Sequence, residues 1–503
     1  MTDYSPGMVL PSPSRQRRAA VRRLLAVTVV LLAMVGGWAA MGSAAPGIST
    51  TPVPRAVCGP GSLPETSTQG RVPARDYTDG RAARGYRCNA VEVGHQGSSG
   101  GFKTLRYTDS QGHSCAFYDS TLTLPRDVVS NTLSGDGLGV VVLDMTNPAR
   151  PRKTANLASV GMVSPHESLL VNQRRGLLVG VMGTAATAPG ILDVYDVRTN
   201  CRRPQLLSQS LSGVFGHESG FSPDGRTYYV AGAAGLSLTA VDLSNPRKPK
   251  ILFQQSGVVY HGLRLSSDGR TMYVANIGAP GPGGITGAGL RILDVSQIQD
   301  RVAKPKVPVL STITWHDASI PQVAEPFTSR GHRYVFEVDE FIDLFSFKAL
   351  TNLQNSPVGA ARIINVDRPR HPFVVSNIRL KVHEPDQRSG PQKNDPMASF
   401  PAQGYAAHYC GLPTRNDPKI AGCSMILSGF RLFDIRDVFH PKEVAYFNKP
   451  VTTITKAALI PAIGGYAMSQ PAWDLAHNSV WFTDCNSGFY VIRLTNGVQN
   501  LLH

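Results

Sequence analysis

Three stretches of the chain align without a gap: HESLLVNQRRGLLV at 166–179, HESGFSPDGRTYYV at 217–230 and HGLRLSSDGRTMYV at 261–274. Each opens on a histidine, carries an apolar residue four positions later and closes on an apolar triplet ending in Val179, Val230 or Val274. Asp224-Gly225 and Asp268-Gly269 fall between the two apolar parts. Asp-Gly marks a tight turn, because glycine reaches positive φ without steric cost. The expected unit is a strand, a two-residue turn and a second strand.

A third strand follows each unit. It ends at Asp144 in GLGVVVLDMTNPARP, at Asp196 in PGILDVYDVRTNCRRP, at Asp242 in GLSLTAVDLSNPRKP, at Asp294 in GLRILDVS and at Asp434 in GFRLFDIRDVFHP. ARIINVDRPRHP, with Asp367, is a weaker copy, and GFYVIRLTNG has Arg493 at the matching place. The aspartate is expected to accept hydrogen bonds from the turn that follows, and proline then stops the strand. Its role is structural. The seven positions are 52, 46, 52, 73, 67 and 59 residues apart, room for one four-stranded sheet each with loops inserted in the later units. No helical pattern alternates with the strands, which disfavours a βαβ fold. The reading is all-β: a β-propeller, most simply of seven four-stranded blades, with six or eight left open because the later copies depart from the pattern. Ring closure is expected to involve the two ends of the chain.

The phrases GLSLTAVDLSNPRKPKIL, GLRILDVS and GFRLFDIRDVFHPKEV resemble LVIVD repeats, the propeller repeats of bacterial and archaeal surface proteins. DGRTYYVA and DGRTMYVAN are similar to a strand of YVTN-type surface-layer propellers. The resemblance covers about residues 90–495 and implies an exported or cell-surface propeller with no single reaction.

Composition agrees with this reading. The chain has 503 residues, 42% hydrophobic and only 17% charged, with 49 Gly and 37 Pro. Disorder is excluded by the apolar content and long coiled coils by the low charge. The net charge of +15 divides unevenly. Residues 15–23, RQRRAAVRR, hold five Arg, and Leu24 to Met41 follow without a charge. A basic flank, an apolar run and small residues at 42–45 read as a secretory signal or a retained N-terminal membrane anchor, residues 1–45, and both export the rest. Residues 46–87 read as a Pro/Thr-rich linker or loosely attached extension, and 88–498 as the propeller. The expected location is secreted or extracytoplasmic and membrane-anchored, with membrane contact only through a retained N-terminal segment. Basic residues are scattered, so nucleic acid is not an expected partner; an envelope protein or polymer is. None of the seven cysteines forms CxxC, and disulfides are the default outside the cell. Cys410 and Cys423 flank a polar loop and are the best pair. Cys58 and Cys88 bracket the extension, Cys201 reads as a lone buried thiol, and the odd count leaves at least one cysteine over.

The repeated histidines are the sharpest chemical feature. His166, His217 and His261 share one repeat position, with His316, His408 and His95 as counterparts elsewhere. Inner strands face the channel, so one position per blade forms a ring. Imidazoles there, with Glu167, Glu218 and Asp317 beside them, form a candidate site for a divalent metal such as Cu or Zn; the alternative is a histidine that belongs to the repeat's own architecture. A second candidate is the acidic run Glu337, Asp339, Glu340 and Asp343, with Glu325 nearby, for Ca²⁺ or for paired carboxylate chemistry; the alternative is a solvated face bridged to Arg330 and Arg333. The insert 383–404 reads as an exposed, helix-poor loop suited to binding, and the Gly-rich 278–289 lacks the Lys-Ser/Thr of a phosphate loop. No GxSxG elbow is present. The sequence therefore favours an exported binding or scaffold propeller of unspecified activity. Its alternative is a metal-dependent (Cu, Zn or Ca) enzyme with a His/carboxylate site at the channel. Copper oxidases and Ca²⁺ lactonases built on propellers are analogies of fold only.

Overall fold

The computed structural model describes residues 51–120, 131–183, 190–213, 216–232, 236–281, 284–315, 320–341, 358–398, 404–453 and 463–503. The apolar run at 24–41, the pair His316 and Asp317, and Asp343 lie outside them.

Seven antiparallel sheets follow one another along the chain, each ordered from an inner to an outer strand. Blade one consists of Thr104–Thr108, Ser114–Asp119, Val140–Asp144 and Arg152–Leu157. Its third strand is buried throughout, and its fourth runs from exposed at Arg152 through half-buried to buried at Leu157. The inner strands of blades two to seven are Leu170–Asn172, Glu218–Phe221, Tyr260–Leu265, Ile320–Ser329, Tyr409–Gly411 and Ala472–Asp474. This is the seven-bladed β-propeller that the repeats imply.

Each blade is apolar on both faces because it is covered by a neighbour on both sides. Phe117 and Val142 of blade one meet Leu178 and Tyr195 of blade two. Val179 and Val194 meet Tyr228 and Val230, and Ala231 and Leu238 meet Leu263 and Val274. Corresponding clusters join blades four to five, five to six and six to seven. Trp481 and Val491 of blade seven meet Tyr118 and Val141 of blade one, which closes the ring. Burial of large apolar side chains, worth roughly 1.5–3 kcal/mol each, is thus distributed evenly around the circle.

The strand-ending aspartates do what the sequence implies. Asp144, Asp196, Asp242, Asp294 and Asp434 each accept the amide N–H two residues on, at 3.0, 2.9, 2.9, 2.9 and 3.0 Å. Asp367, in the weak copy, instead takes the amide of Arg333. The glycine that opens several third strands is required there. A Cβ at Gly139 or Gly289 would stand 2.1 or 2.0 Å from a carbonyl oxygen of the outer strand.

Four corrections follow from the structure. The hairpin turn has four residues rather than two: Ser222 N–H donates to Thr227 O (2.9 Å) and Gly225 N–H to Ser222 O (2.8 Å), with Gly225 at φ 69°. The side chain of Asp224 holds the Ser222 hydroxyl (2.6 Å), which stabilises this wider turn. The extension is bound rather than loose. Tyr86–Cys88 forms a fifth strand on blade six, and Glu65 ion-pairs with the buried Arg431. Cys201 is not a lone thiol. It bonds Cys115 across blades one and two, and the cysteine outside the three disulfides is the buried Cys485. The insert after 383 is neither helix-poor nor wholly exposed. Pro385–Ser389 is helical, and His383, Arg388, Gln392 and Asp395 are buried, with Arg71 of the extension bonding Asp395 at 2.7 Å.

Cys410–Cys423 and Cys58–Cys88 are disulfides, as the sequence suggests. Three disulfides indicate an oxidising, extracytoplasmic compartment. Among the described residues no helix is long and apolar enough to cross a membrane. Ring closure uses Ala90–Gln96 from the N-terminal side as the outer strand of blade seven, paired to Gly488–Leu494.

Candidate functional site

The entry ends of the inner strands converge at the channel, and four imidazoles meet there. His217 directly precedes Glu218–Phe221, His261 lies in Tyr260–Leu265, and His408 directly precedes Tyr409–Gly411. His166 opens a short 3-10 turn before Leu170–Asn172 and holds φ at 53°, a strained conformation for a residue other than glycine. Two inner strands bulge at this level. The register shifts between Tyr260 and Leu263 and between Pro321 and Val323, which aims His261 and Gln322 into the channel. The bulges nest closely: a Cβ at Gly262 would stand 2.2 Å from Gln322 O. That contact explains why glycine follows the histidine here, whereas Glu167 and Glu218 follow it in the other two repeats.

The geometry fixes the tautomers. His217 Nδ1 faces Gly183 O at 3.2 Å, His261 Nδ1 faces Pro321 O at 3.0 Å and His408 Nδ1 faces Met468 O at 2.7 Å. A carbonyl oxygen only accepts, so each Nδ1 carries a proton; Nε2 faces inward, as a lone pair when the ring is neutral and as a second N–H donor when it is protonated. Those three nitrogens surround Glu167. Its Oε2 lies 3.3 Å from His217 Nε2 and 3.0 Å from His261 Nε2, and its Oε1 lies 3.1 Å from His408 Nε2. Glu340 Oε2 stands 3.0 Å from His408 Nε2. Gln322 Nε2 donates to Glu167 Oε1 at 2.6 Å. His217 Nε2 and His261 Nε2 face each other at 2.9 Å. Phe102 lies against both His166 and His408, with ring centroids 4.3 and 4.9 Å apart.

The electrostatics are those of a dry, paired cluster. Glu167, Gln322, Glu340, His261 and His408 are all buried. Burial, aided by His217, holds the His166 imidazole well below its ordinary pKa. Burial alone would raise Glu167, but His261 and His217 overcome it and hold the carboxylate well below its usual range. Burial would likewise lower His261 and His408. Glu167 and Glu340 reverse this and carry both up to about 9. His166 Nδ1 is buried with no hydrogen-bond partner among the described residues.

The structure brings together four of the five histidines proposed from sequence: His166, His217, His261 and His408. His316 lies outside the described residues. His95 is not a member. It sits on the outer strand of blade seven, bonded to Ser487 O at 2.7 Å, and Phe102 takes the corresponding place in blade one. Glu167 joins the cluster, but Glu218 points to Lys103 and Arg264. The acidic trio is not assembled into one site. Glu325 is held by Arg264 and Arg415, whereas Glu337 and Asp339 share the buried Arg362 at 2.6 and 2.8 Å. The bridging cation is thus Arg362, not Arg330 or Arg333. Glu340 and Gln322 are the members that the repeat reading misses. Alternation along His332–Glu340 puts Glu340 on the face opposite Asp339, a signal present in the sequence. Nothing in the sequence marks Gln322.

Fold and site together define the class: a seven-bladed β-propeller with a buried histidine–carboxylate cluster at its channel. The chain matches no protein-family model and no curated protein sequence, so its likeness to LVIVD and YVTN repeats remains a resemblance of phrases. Solved structures similar to it include a putative 6-phosphogluconolactonase from Bacteroides uniformis, 11% identical with a TM-score of 0.45, covering 70% of this chain and 86% of that one. The periplasmic gluconolactonase of Pseudomonas aeruginosa is 14% identical with a TM-score of 0.45 over the same shares, 70% and 86%. A functionally unknown protein from Desulfotomaculum acetoxidans is 13% identical with a TM-score of 0.43, covering 75% and 90%.

Proposed function

We propose that this extracytoplasmic propeller is a metal-dependent enzyme whose ion is held in the channel by His217, His261 and His408 with Glu167 and Glu340. The observation that carries the reading is the 2.9 Å approach of His217 Nε2 to His261 Nε2 while both rings spend their Nδ1 protons on carbonyls. Two lone pairs face each other at that distance only with a cation between them, a proton or a metal. Donors about 2.1 Å from one ion stand roughly 3.0–3.4 Å apart, and His217 Nε2, His261 Nε2 and Glu167 Oε2 lie 2.9, 3.0 and 3.3 Å from one another. Backbone carbonyls behind the imidazoles are the outer-shell partners that metal-binding histidines ordinarily have. Imidazole donors suit Zn, Cu, Fe or Ni and not the oxygen-seeking Ca²⁺, so of the ions considered from sequence Cu and Zn remain.

Two features favour a catalytic ion over a structural one. A structural metal supplies folding energy to a small domain, and this ring already has seven apolar interfaces and three disulfides. Beside the donors stands His166, strained and with Nδ1 unspent among the described residues, a combination that clusters at functional sites. We prefer this reading to the binding or scaffold propeller because the channel donors are the more specific arrangement.

The test is metal analysis of untagged protein purified without chelator and then reloaded with Zn²⁺ or Cu²⁺. About one equivalent is expected, and His217→Ala with His261→Ala should abolish it while the far-ultraviolet spectrum stays that of the parent. Retention of metal in that variant, or none bound by the parent after reloading, overturns the reading.

A further inference from the structure

The inner strands all leave the imidazole layer in the same direction, so the residues that follow build successive layers down the channel. Directly after Phe102, His217 and His408 come Lys103, Glu218 and Tyr409, all fully buried. Lys103 Nζ donates to Glu218 Oε1 at 2.8 Å and stands 3.9 Å over the Tyr409 ring. Arg264 bonds the same Glu218 at 3.1 Å, and Gln470 Oε1 accepts from both cations at 3.3 and 3.0 Å. Arg264 is three residues past His261, about 10 Å of strand. Beyond this ion-paired layer the channel reopens as a cavity of about 420 Å³, to which every blade contributes, a volume in the range of small-molecule sites.

The lining of this second mouth has more cations than it uses. Three arginines, Arg106, Arg264 and Arg415, and one carboxylate, Glu325, line it. Arg264 is fully engaged by Glu218, Glu325 and Gln470. Arg415 gives Nε to Glu325 at 2.7 Å and Nη1 to Leu265 O at 3.0 Å, and its side chain stays 44% exposed. Arg106 makes no guanidinium hydrogen bond among the described residues; its Nη2 stops 3.7 Å from Asp474 Oδ1, and its Nε is buried without a partner. Among the described residues Arg106 thus has only a long ion pair to Asp474 and the Trp481 ring at 5.8 Å, and with the half-exposed Arg415 on the same cavity wall it leaves guanidinium N–H groups for an oxyanion. Phe221 and Trp473 supply flat apolar wall.

We propose that this second mouth binds a small organic oxyanion, a carboxylate or phosphate ester with a flat apolar body, held by Arg106 and Arg415 and stacked against Phe221 or Trp473. The site is separate from the imidazole cluster and does not rest on the metal reading. Isothermal titration of the full chain with benzoate, phenyl phosphate and the neutral benzyl alcohol tests it. Benzoate or phenyl phosphate should bind saturably, the stronger of the two naming the head group, and benzyl alcohol should not. Arg106→Gln with Arg415→Gln should weaken binding at least about tenfold, the loss of one charge-assisted hydrogen bond. If the double variant fails to fold, Arg415→Gln alone, at a half-exposed side chain, should give a weakening of several-fold. Binding must persist in His217→Ala/His261→Ala, so that its loss is not confused with failure of the metal site. Absence of saturation by either anion below about 10 mM, equal binding of the alcohol, or wild-type affinity in the arginine variants overturns the proposal.

Discussion

Glu167→Gln is the most informative single change, because one carboxylate touches three imidazoles and an amide. The substitution keeps the shape and removes the charge. A change behind a metal ligand costs 10–100-fold in affinity, so loss of a charged donor should reach at least the upper figure. Thermal unfolding with and without Zn²⁺ reads this out. An ion at about 1,000 times its Kd stabilises the folded chain by about 4 kcal/mol. Unfolding entropy near ~2.1 cal/mol/K per residue gives about 1 kcal/mol per kelvin for 503 residues. The parent should therefore gain about 4 °C in melting temperature. At the same ion concentration the variant is left near ~10 Kd, worth about 1.4 kcal/mol, and should gain only about 1 °C. Without ion the variant should also melt about 3–5 °C lower, since breaking a buried ion pair costs about 3–5 kcal/mol. A variant that keeps the parent's metal-induced shift refutes the assignment of Glu167 as a ligand. One that keeps the parent's metal-free melting temperature refutes its role as the counter-charge of the cluster.

Gly262→Ala should destabilise the protein by about 1–3 kcal/mol and lower metal retention, because its Cβ meets Gln322 O at 2.2 Å; unchanged metal content with unchanged stability would show that the bulges can part. Replacing Cys115 and Cys201 by Ala opens a loop of 86 residues and should cost about 4–5 kcal/mol in denaturant titration, with a much smaller loss arguing for residual structure in the unfolded chain. Burial pushes Asp119 up to about 7 against the Phe102 and Lys103 amides that oppose it. The folded chain therefore keeps a proton that the unfolded chain has released, and stability should fall as pH rises from about 4 to about 7. Asp119→Asn should lose that part of the slope in urea titrations at pH 5 and pH 8, and identical slopes would contradict it.

The sequence by itself determined the blade. The aspartate stops at Asp144, Asp196, Asp242, Asp294 and Asp434 and the glycines before them are local devices, set by a turn two residues long and a carbonyl one strand away. Such short-range constraints repeat legibly, five times in full, and the weaker copies at Asp367 and Arg493 bring the count to seven. The same repetition exposed His166, His217 and His261, because a ring turns one position per blade into one place in space. The tertiary structure decided what repetition cannot encode. Glu340 and Gln322 enter the cluster from blade five by strand alternation and a bulge, neither of which shares the histidine register. Glu218, identical in sequence context to Glu167, is drawn instead to Lys103 and Arg264, whose positions depend on ring closure. Cys115 finds Cys201 for the same reason: blades one and two touch face to face. Turns and strand ends are fixed by neighbours along the chain, whereas the pairing of charges in the channel is fixed by neighbours around the ring.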